Sequence, residues 1–234
     1  MRYCIDKAVF DILPTICVGT VCARGVDNRR VYPEISEMLA SSIASCEAAF
    51  ENIKVKDDPE IICYREAFRT LGINPGKYMC SIEALISRIA KKKGMPCINP
   101  LVDLNNAISI KYALPMGTHD LGTIRDDLEV RFSRPGDTFL PFGGTETEQP
   151  EENELVYVSG HEVRTRRWTW RQSEIGKITE DTSSVFFPID GFTDINRERV
   201  IQARDELAEL IENIFGAVPT VGFVDISAPE TELI

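Results

Sequence analysis

The stretch Ser81-Ile82-Glu83-Ala84-Leu85-Ile86-Ser87-Arg88-Ile89-Ala90-Lys91-Lys92-Lys93-Gly94 decides the fold class. Ile82, Leu85, Ile86 and Ile89 recur at the spacing of one helical face, and Ser81 is a residue type that caps a helix start. The lysines fall where the helix dipole favours cations, and Gly94 supplies a stop. The run therefore reads as a helix terminus rather than a nucleic-acid patch. Two more helices precede it. Pro33 opens one with Ile35, Met38, Leu39, Ser42, Ile43, Cys46 and Phe50 inward; Pro59 opens another with Ile62, Ala67 and Phe68 inward and Gly72 as its C′ residue. Asn74-Pro75-Gly76 is a turn. Residues 6–24 read as short extended segments, with apolar Ile16–Val21 ending at a turn near Gly25.

After Pro100 the character changes. Candidate strands are Ile108–Leu114, Leu128–Ser133, Leu155–Val158, Glu162–Gln172 and Ser184–Ile189, with glycines at 117, 122, 136, 143 and 144 between them. The acidic run Glu146–Glu154 reads as a solvated loop. Thr193 or Asp194 caps a last amphipathic helix carrying Val200, Leu207, Leu210, Ile211 and Ile214, stopped by Gly216. The tail beyond it adds an edge strand or wraps the surface. Helices first, strands next and a closing helix predict an α+β fold. No linker divides the chain, so one unit over 1–234 is expected.

The chain has 234 residues, a formal net charge of −11 and 43% hydrophobic residues. Such acidity excludes a broad phosphate-binding face, though a local basic site can exist on an acidic body. No apolar run approaches the length of a membrane helix, and the N-terminus lacks the pattern of a secretory signal, so a soluble cytoplasmic protein is expected. The seven cysteines are scattered over the first hundred residues with no C-x-x-C pair, and only His119 and His161 could assist them. They read as buried thiols, and no metal or cofactor is expected. Dinucleotide, phosphate-loop and nucleophile-elbow signatures are absent.

Three stretches carry candidate chemistry. Ile98–Asn106, ending in Asn105-Asn106, either fixes a turn or reads a ligand's donors and acceptors. Leu114-Pro115-Met116-Gly117-Thr118-His119-Asp120 allows close backbone approach, and His119 beside Asp120 suggests a general base. In His161–Ser173, a regular strand would place Arg164, Arg166, Trp168 and Trp170 on one face, suited to phosphate contact with ring stacking. The alternative is a core role for the tryptophans, with the arginines paired to nearby acids.

Taken together, Tyr64-Arg65 … Phe68 … Gly72-Ile73, Ser81–Ile89, Leu101-Val102-Asp103-Leu104-Asn105-Asn106, Gly117 … Asp120 … Gly122, Glu129-Val130-Arg131, Gly136-Asp137 and Trp170-Arg171-Gln172-Ser173 form a familiar order. Over about residues 59–216 the chain resembles freestanding relatives of the editing module, the paired third and fourth modules, of the phenylalanyl-tRNA synthetase β subunit. The resemblance covers residues 1–58 poorly, and these are expected to form an N-terminal extension packed on the rest. It implies a β-sandwich or barrel-like sheet with flanking helices. It also implies a pocket near Asn105 and Asn106, closed by the Gly117–Asp120 loop and the Trp168–Ser173 stretch. The module's histidine falls on Gly117, and its pocket glutamate falls near Phe187-Pro188, leaving His119 and Asp190 as neighbours in sequence.

The resemblance implies two functions. One is a deacylase for a mischarged aminoacyl-tRNA, with Asn106 and His119 catalytic and Asn105, Gly117, Thr118, Asp120, Arg164, Arg166, Trp168 and Arg171 holding the tRNA acceptor end. The other is a non-catalytic module binding tRNA or an amino-acid-like molecule. In this reading Trp170 is buried and the arginines stand at the pocket rim. A complete synthetase is not expected, because no ATP-binding core is present.

Overall fold

A computed structural model describes residues 1–233. Its strands are β1 (Arg2–Ile5), β2 (Ile16–Arg24), β3 (His119–Asp120), β4 (Leu128–Phe132), β5 (Leu155–Ser159), β6 (Glu162–Arg166), β7 (Arg171–Gln172), β8 (Ser184–Phe192), β9 (Thr220–Val224) and β10 (Glu230–Glu232). Its helices are α1 (Lys7–Ile12), α2 (Pro33–Ala49), α3 (Pro59–Thr70), α4 (Ser81–Ala90), α5 (Pro100–Tyr112) and α6 (Arg197–Leu210). One sheet has the order β10-β1-β4-β5-β6-β7, the other β3-β8-β2-β9. The α+β expectation holds, with helices flanking two sheets.

The sheets meet through large side chains. The Tyr3 ring lies 5.2 Å from Phe186, and Tyr157 donates a hydrogen bond to Asp190 across the interface. On β5, Leu155 and Tyr157 join this core while Val156 and Val158 join a second cluster with Phe139 and Val163. Covering both faces explains why β5 and β8 read as apolar runs rather than as alternation. Helix α6 packs on β2 and β8, α5 on α6, and α2 on α5.

Several expectations are corrected. Residues 1–24 supply strands to both sheets: β2 pairs along its full length with β8 and is flanked by β9, while β1 lies between β4 and β10. Lys7–Ile12 is helical, with the Asp6 side chain accepting from the Ala8 N–H. The segment Ile108–Leu114 is the end of α5 and not a strand. Asn99 caps that helix, Pro100 occupies its first turn, and Ala113 closes it at φ 51°. Contact with α2, α4 and α6 makes α5 apolar on most sides, and that tertiary burial outweighs the β preference of its isoleucines. In α3 Ala67 and Phe68 are buried as expected, joined by Ile61 and Tyr64, whereas Ile62 is exposed. The last helix starts at Arg197 behind Asn196, later than expected, and ends at Gly216 as expected.

The segment Glu162–Gln172 is not one strand. Arg167 and Trp168 both adopt left-handed backbone, at φ 48° and 59°, and split it into β6 and β7. Two such residues in succession cost roughly 1–3 kcal/mol each, a cost met only where the surroundings fix the conformation.

Candidate active site

That turn drives the Trp168 indole fully into the core, beside Tyr64, Phe68 and Phe192. The indole N–H donates to Asp190 Oδ1 at 2.7 Å, and the Tyr157 hydroxyl donates to the same oxygen at 2.6 Å. Tyr3 in turn donates to the Tyr157 hydroxyl at 3.2 Å. Asp190 is carried by β8, in a run otherwise composed of Val185, Phe186, Phe187, Pro188 and Ile189. A buried carboxylate surrounded by such residues resists ionisation. Burial outweighs the opposing effect of the two hydrogen bonds and leaves Asp190 raised to about 7. Oδ2 receives no donor from the described residues.

Asp190 lines a cavity of about 110 Å³ shared with Gly117, His119, Tyr157, Thr165, Trp168, Thr169, Arg171 and Gln172. His119 is buried, stacked on Tyr157 at 5.8 Å and on Phe186 at 6.1 Å. Burial, reinforced by the Arg164 charge, lowers its pKa to about 3, so the imidazole is neutral at physiological pH. Its Nδ1 is buried without a hydrogen-bond partner. The site therefore holds a carboxyl group poised near neutrality and a neutral imidazole in one enclosure, and of the two Asp190 is the group that exchanges a proton near neutral pH. A base tuned in this way is most effective near its working pH.

Gly117 forms part of the wall. A Cβ there would stand 3.3 Å from Pro188 and 3.5 Å from the His119 Nε2, so anything larger would intrude on the cavity. The Gln172 amide donates to the Thr118 carbonyl and ties this loop to β7. The cavity thus brings together His119, Gly117, Trp168 and Arg171 from the expected set. Asp190, Tyr157 and Thr165 join them.

Other expected residues lie elsewhere. Asn105 and Asn106 are on α5 and do not line the cavity; Asn105 is buried with its Oδ1 unpartnered. Asp120 is turned to the Gly122 N–H and the Thr182 hydroxyl, where it fixes a turn. The arginine face expected of a regular strand is not formed. Arg164 is buried against Glu162 and Thr123, and Arg166 is buried against Glu154 and Glu148. Arg167 pairs with Glu151 and Glu154. The partners of Arg166 and Arg167 come from the acidic run expected to be solvated, and Glu154 is itself buried. Nor is Trp170 the buried tryptophan: Trp168 is fully enclosed, whereas Trp170 is half-buried. Arg171 alone of the expected arginines is exposed at the cavity. Among the described residues there is no cluster of potential metal ligands and no helix long and apolar enough to cross a membrane.

A model of the B3/4 domain matches residues 63–216, a span that contains every residue lining the cavity. The chain belongs to the B3/4 domain family. This B3/4 chain is 34% identical over 63 residues to the phenylalanine–tRNA ligase beta subunit of Mycobacterium leprae, a match covering 27% of the chain and 8% of that protein. It is also similar to the crystal structure of an N-terminal fragment of the phenylalanyl-tRNA synthetase beta-subunit from Pyrococcus horikoshii. There the TM-score is 0.51 at 13% identity, over 93% of this chain and 49% of that one. At such identity the likeness is one of fold, and it extends beyond the residues that the family model matches. The B3/4 chain spans about half the length of the solved fragment.

Proposed function

We propose that this B3/4 domain is an editing-type module that hydrolyses a small aminoacyl ester, of the kind carried at the 3′ end of a mischarged tRNA. The observation that carries this reading is the convergence of Asp190 and His119 on one cavity inside the family-matched region. A volume of about 110 Å³ lies well below the roughly 300–1,000 Å³ of ordinary ligand pockets and favours a small group such as an aminoacyl moiety. Asp190, ionised above about pH 7, takes the proton of an attacking water. His119 aligns that water or the ester through its neutral ring, and the enclosing aromatics exclude bulk solvent. The roles assigned to Asn106 and to Arg164 and Arg166 do not enter, because those side chains lie outside the cavity or are neutralised within the fold.

A second reading has an observation of its own. The unpaired Asp190 Oδ2 suits the ammonium group of an amino-acid-like ligand, so the cavity could bind without turnover. A panel of mischarged tRNAs incubated with the protein separates the two. Release of free amino acid by wild type, and its loss in Asp190→Asn, supports hydrolysis. Saturable amino-acid binding with no release on any of the tRNAs leaves only the binding module.

A further inference from the structure

The dimensions of the cavity limit the side chain it can take. An apolar cavity of about 150 Å³ holds one benzene molecule. The volume here is about 110 Å³, short of what an aromatic ring needs. The walls are also fixed. Trp168 is fully buried and tied to Asp190, and Tyr157 is anchored between Tyr3 and Asp190. His119 stacks on Tyr157 and Phe186. Pro188, on β8, lies 3.3 Å from where a Cβ on Gly117 would stand. Widening the cavity would therefore require β8 to part from the rings packed on it, and interiors of this density resist such shifts.

The lining is polar as well as small. Among the described residues, six buried side-chain polar atoms lack a hydrogen-bond partner, and two of them belong to residues of this wall: Thr169 Oγ1 and His119 Nδ1. Thr169 is 7% exposed and His119 2%. A buried polar atom without a partner costs free energy, which an apolar ligand leaves in place and a hydrogen-bonding one recovers. A hydroxyl group both donates and accepts, so it complements a threonine hydroxyl together with either tautomer of an imidazole. Using Nδ1 in this way leaves Nε2, on the Gly117 side of the ring, for the water or the ester.

We propose that the cavity takes a small aliphatic side chain carrying a hydroxyl, that of serine or threonine, and excludes aromatic ones. Thr169 determines this specificity, and His119 Nδ1 completes the pair of hydrogen bonds. The proposal rests on the editing-type reading for the ester that is cleaved, and on the cavity alone for the side chain selected.

One tRNA acylated in turn with serine, threonine, alanine, phenylalanine and tyrosine tests it. Ratios of release rates cancel the contribution of the tRNA and of the amount of folded protein. Wild type should release serine and threonine about thirtyfold faster than alanine, the worth of two hydrogen bonds, and the aromatic residues more slowly than alanine. Thr169→Val should cut the serine-to-alanine ratio to about fivefold, and Thr169→Ser should restore it. Equal release of serine and alanine by wild type would overturn the proposal. So would an unchanged ratio in Thr169→Val, or phenylalanine or tyrosine released as fast as serine. Should Thr169→Val not fold, the wild-type ratios decide alone. Should no ester be cleaved, the editing-type reading falls, and equilibrium dialysis with free L-serine, L-alanine and L-phenylalanine decides the selection separately. Serine bound about thirtyfold more tightly than alanine would sustain it. No binding of serine, or binding no tighter than that of alanine or phenylalanine, would overturn it.

Discussion

Asp190→Asn should make the protein more stable, and only above about pH 4. The folded carboxyl titrates near 7, whereas an unfolded one titrates near 4. Between those values the folded state holds a proton that the unfolded state has given up. Stability from this group is therefore lost as pH rises through the window and levels off above about 7. Each pH unit is worth about 1.4 kcal/mol, so the whole window amounts to about 4 kcal/mol. His119 acts in the opposite sense. Its folded pKa is depressed to about 3 against an unfolded value near 6.5, so its contribution is lost as pH falls through that interval. In wild type the two slopes cancel between about pH 4 and 6.5, and the variant exposes the His119 slope alone. Asparagine preserves the acceptor for Tyr157 and Trp168, and its amide nitrogen takes the place of the unpaired Oδ2. Urea unfolding of both proteins at pH 4.5, 5.5, 6.5, 7.5 and 8.5 gives the difference directly. A stability difference that does not change with pH would refute the burial argument, because Asp190 would then ionise like a surface carboxylate.

Trp168→Ala should cost about 3–5 kcal/mol in the same assay, since it empties the centre of the core and strips a donor from Asp190. Glu154→Ala leaves Arg166 and Arg167 buried with weaker partners and should cost about 3–5 kcal/mol, with little sensitivity to salt. Gly191→Ala places a methyl group 2.4 Å from Val200 and 2.6 Å from Asn196, and should lower the thermal midpoint by forcing α6 away from β8. Gly117→Leu fills the cavity and should abolish turnover or ligand binding while circular dichroism stays unchanged.

Local sequence signals located most of the helices because their cues are local. Pro33, Pro59 and the Ile82–Ile89 stripe each act within a few turns, and α2, α3 and α4 stand where these place them. The α5 error has a different cause. Its isoleucines favour a strand, and only contact with three other helices reverses that preference. Pro100 behind Asn99 was the local signal for a helix start, and it outweighs Ile108 and Ile110. The arginine face failed because period-2 reasoning assumes unbroken extended backbone, and Arg167 and Trp168 leave it. No residue type there announces positive φ. The acidic partners of Arg166 and Arg167 lie more than ten residues away, so charge pattern alone showed a solvated loop. Asp190 was legible in one respect: a lone carboxylate within Val185–Phe192 has no reason to be there unless it is used. That Tyr157 and Trp168 meet it is a fact of sheet packing, which no spacing in the chain encodes.

The central claim is that Asp190 serves as the base in the cavity. The rate of release of amino acid from a mischarged tRNA, measured from pH 5.5 to 9 under single-turnover conditions, tests it most directly. Wild type should gain activity through an apparent pKa near 7 and then level off, while Asp190→Asn should lose activity by at least a hundredfold and show no such rise. Equal rates in the two proteins across that range would contradict it.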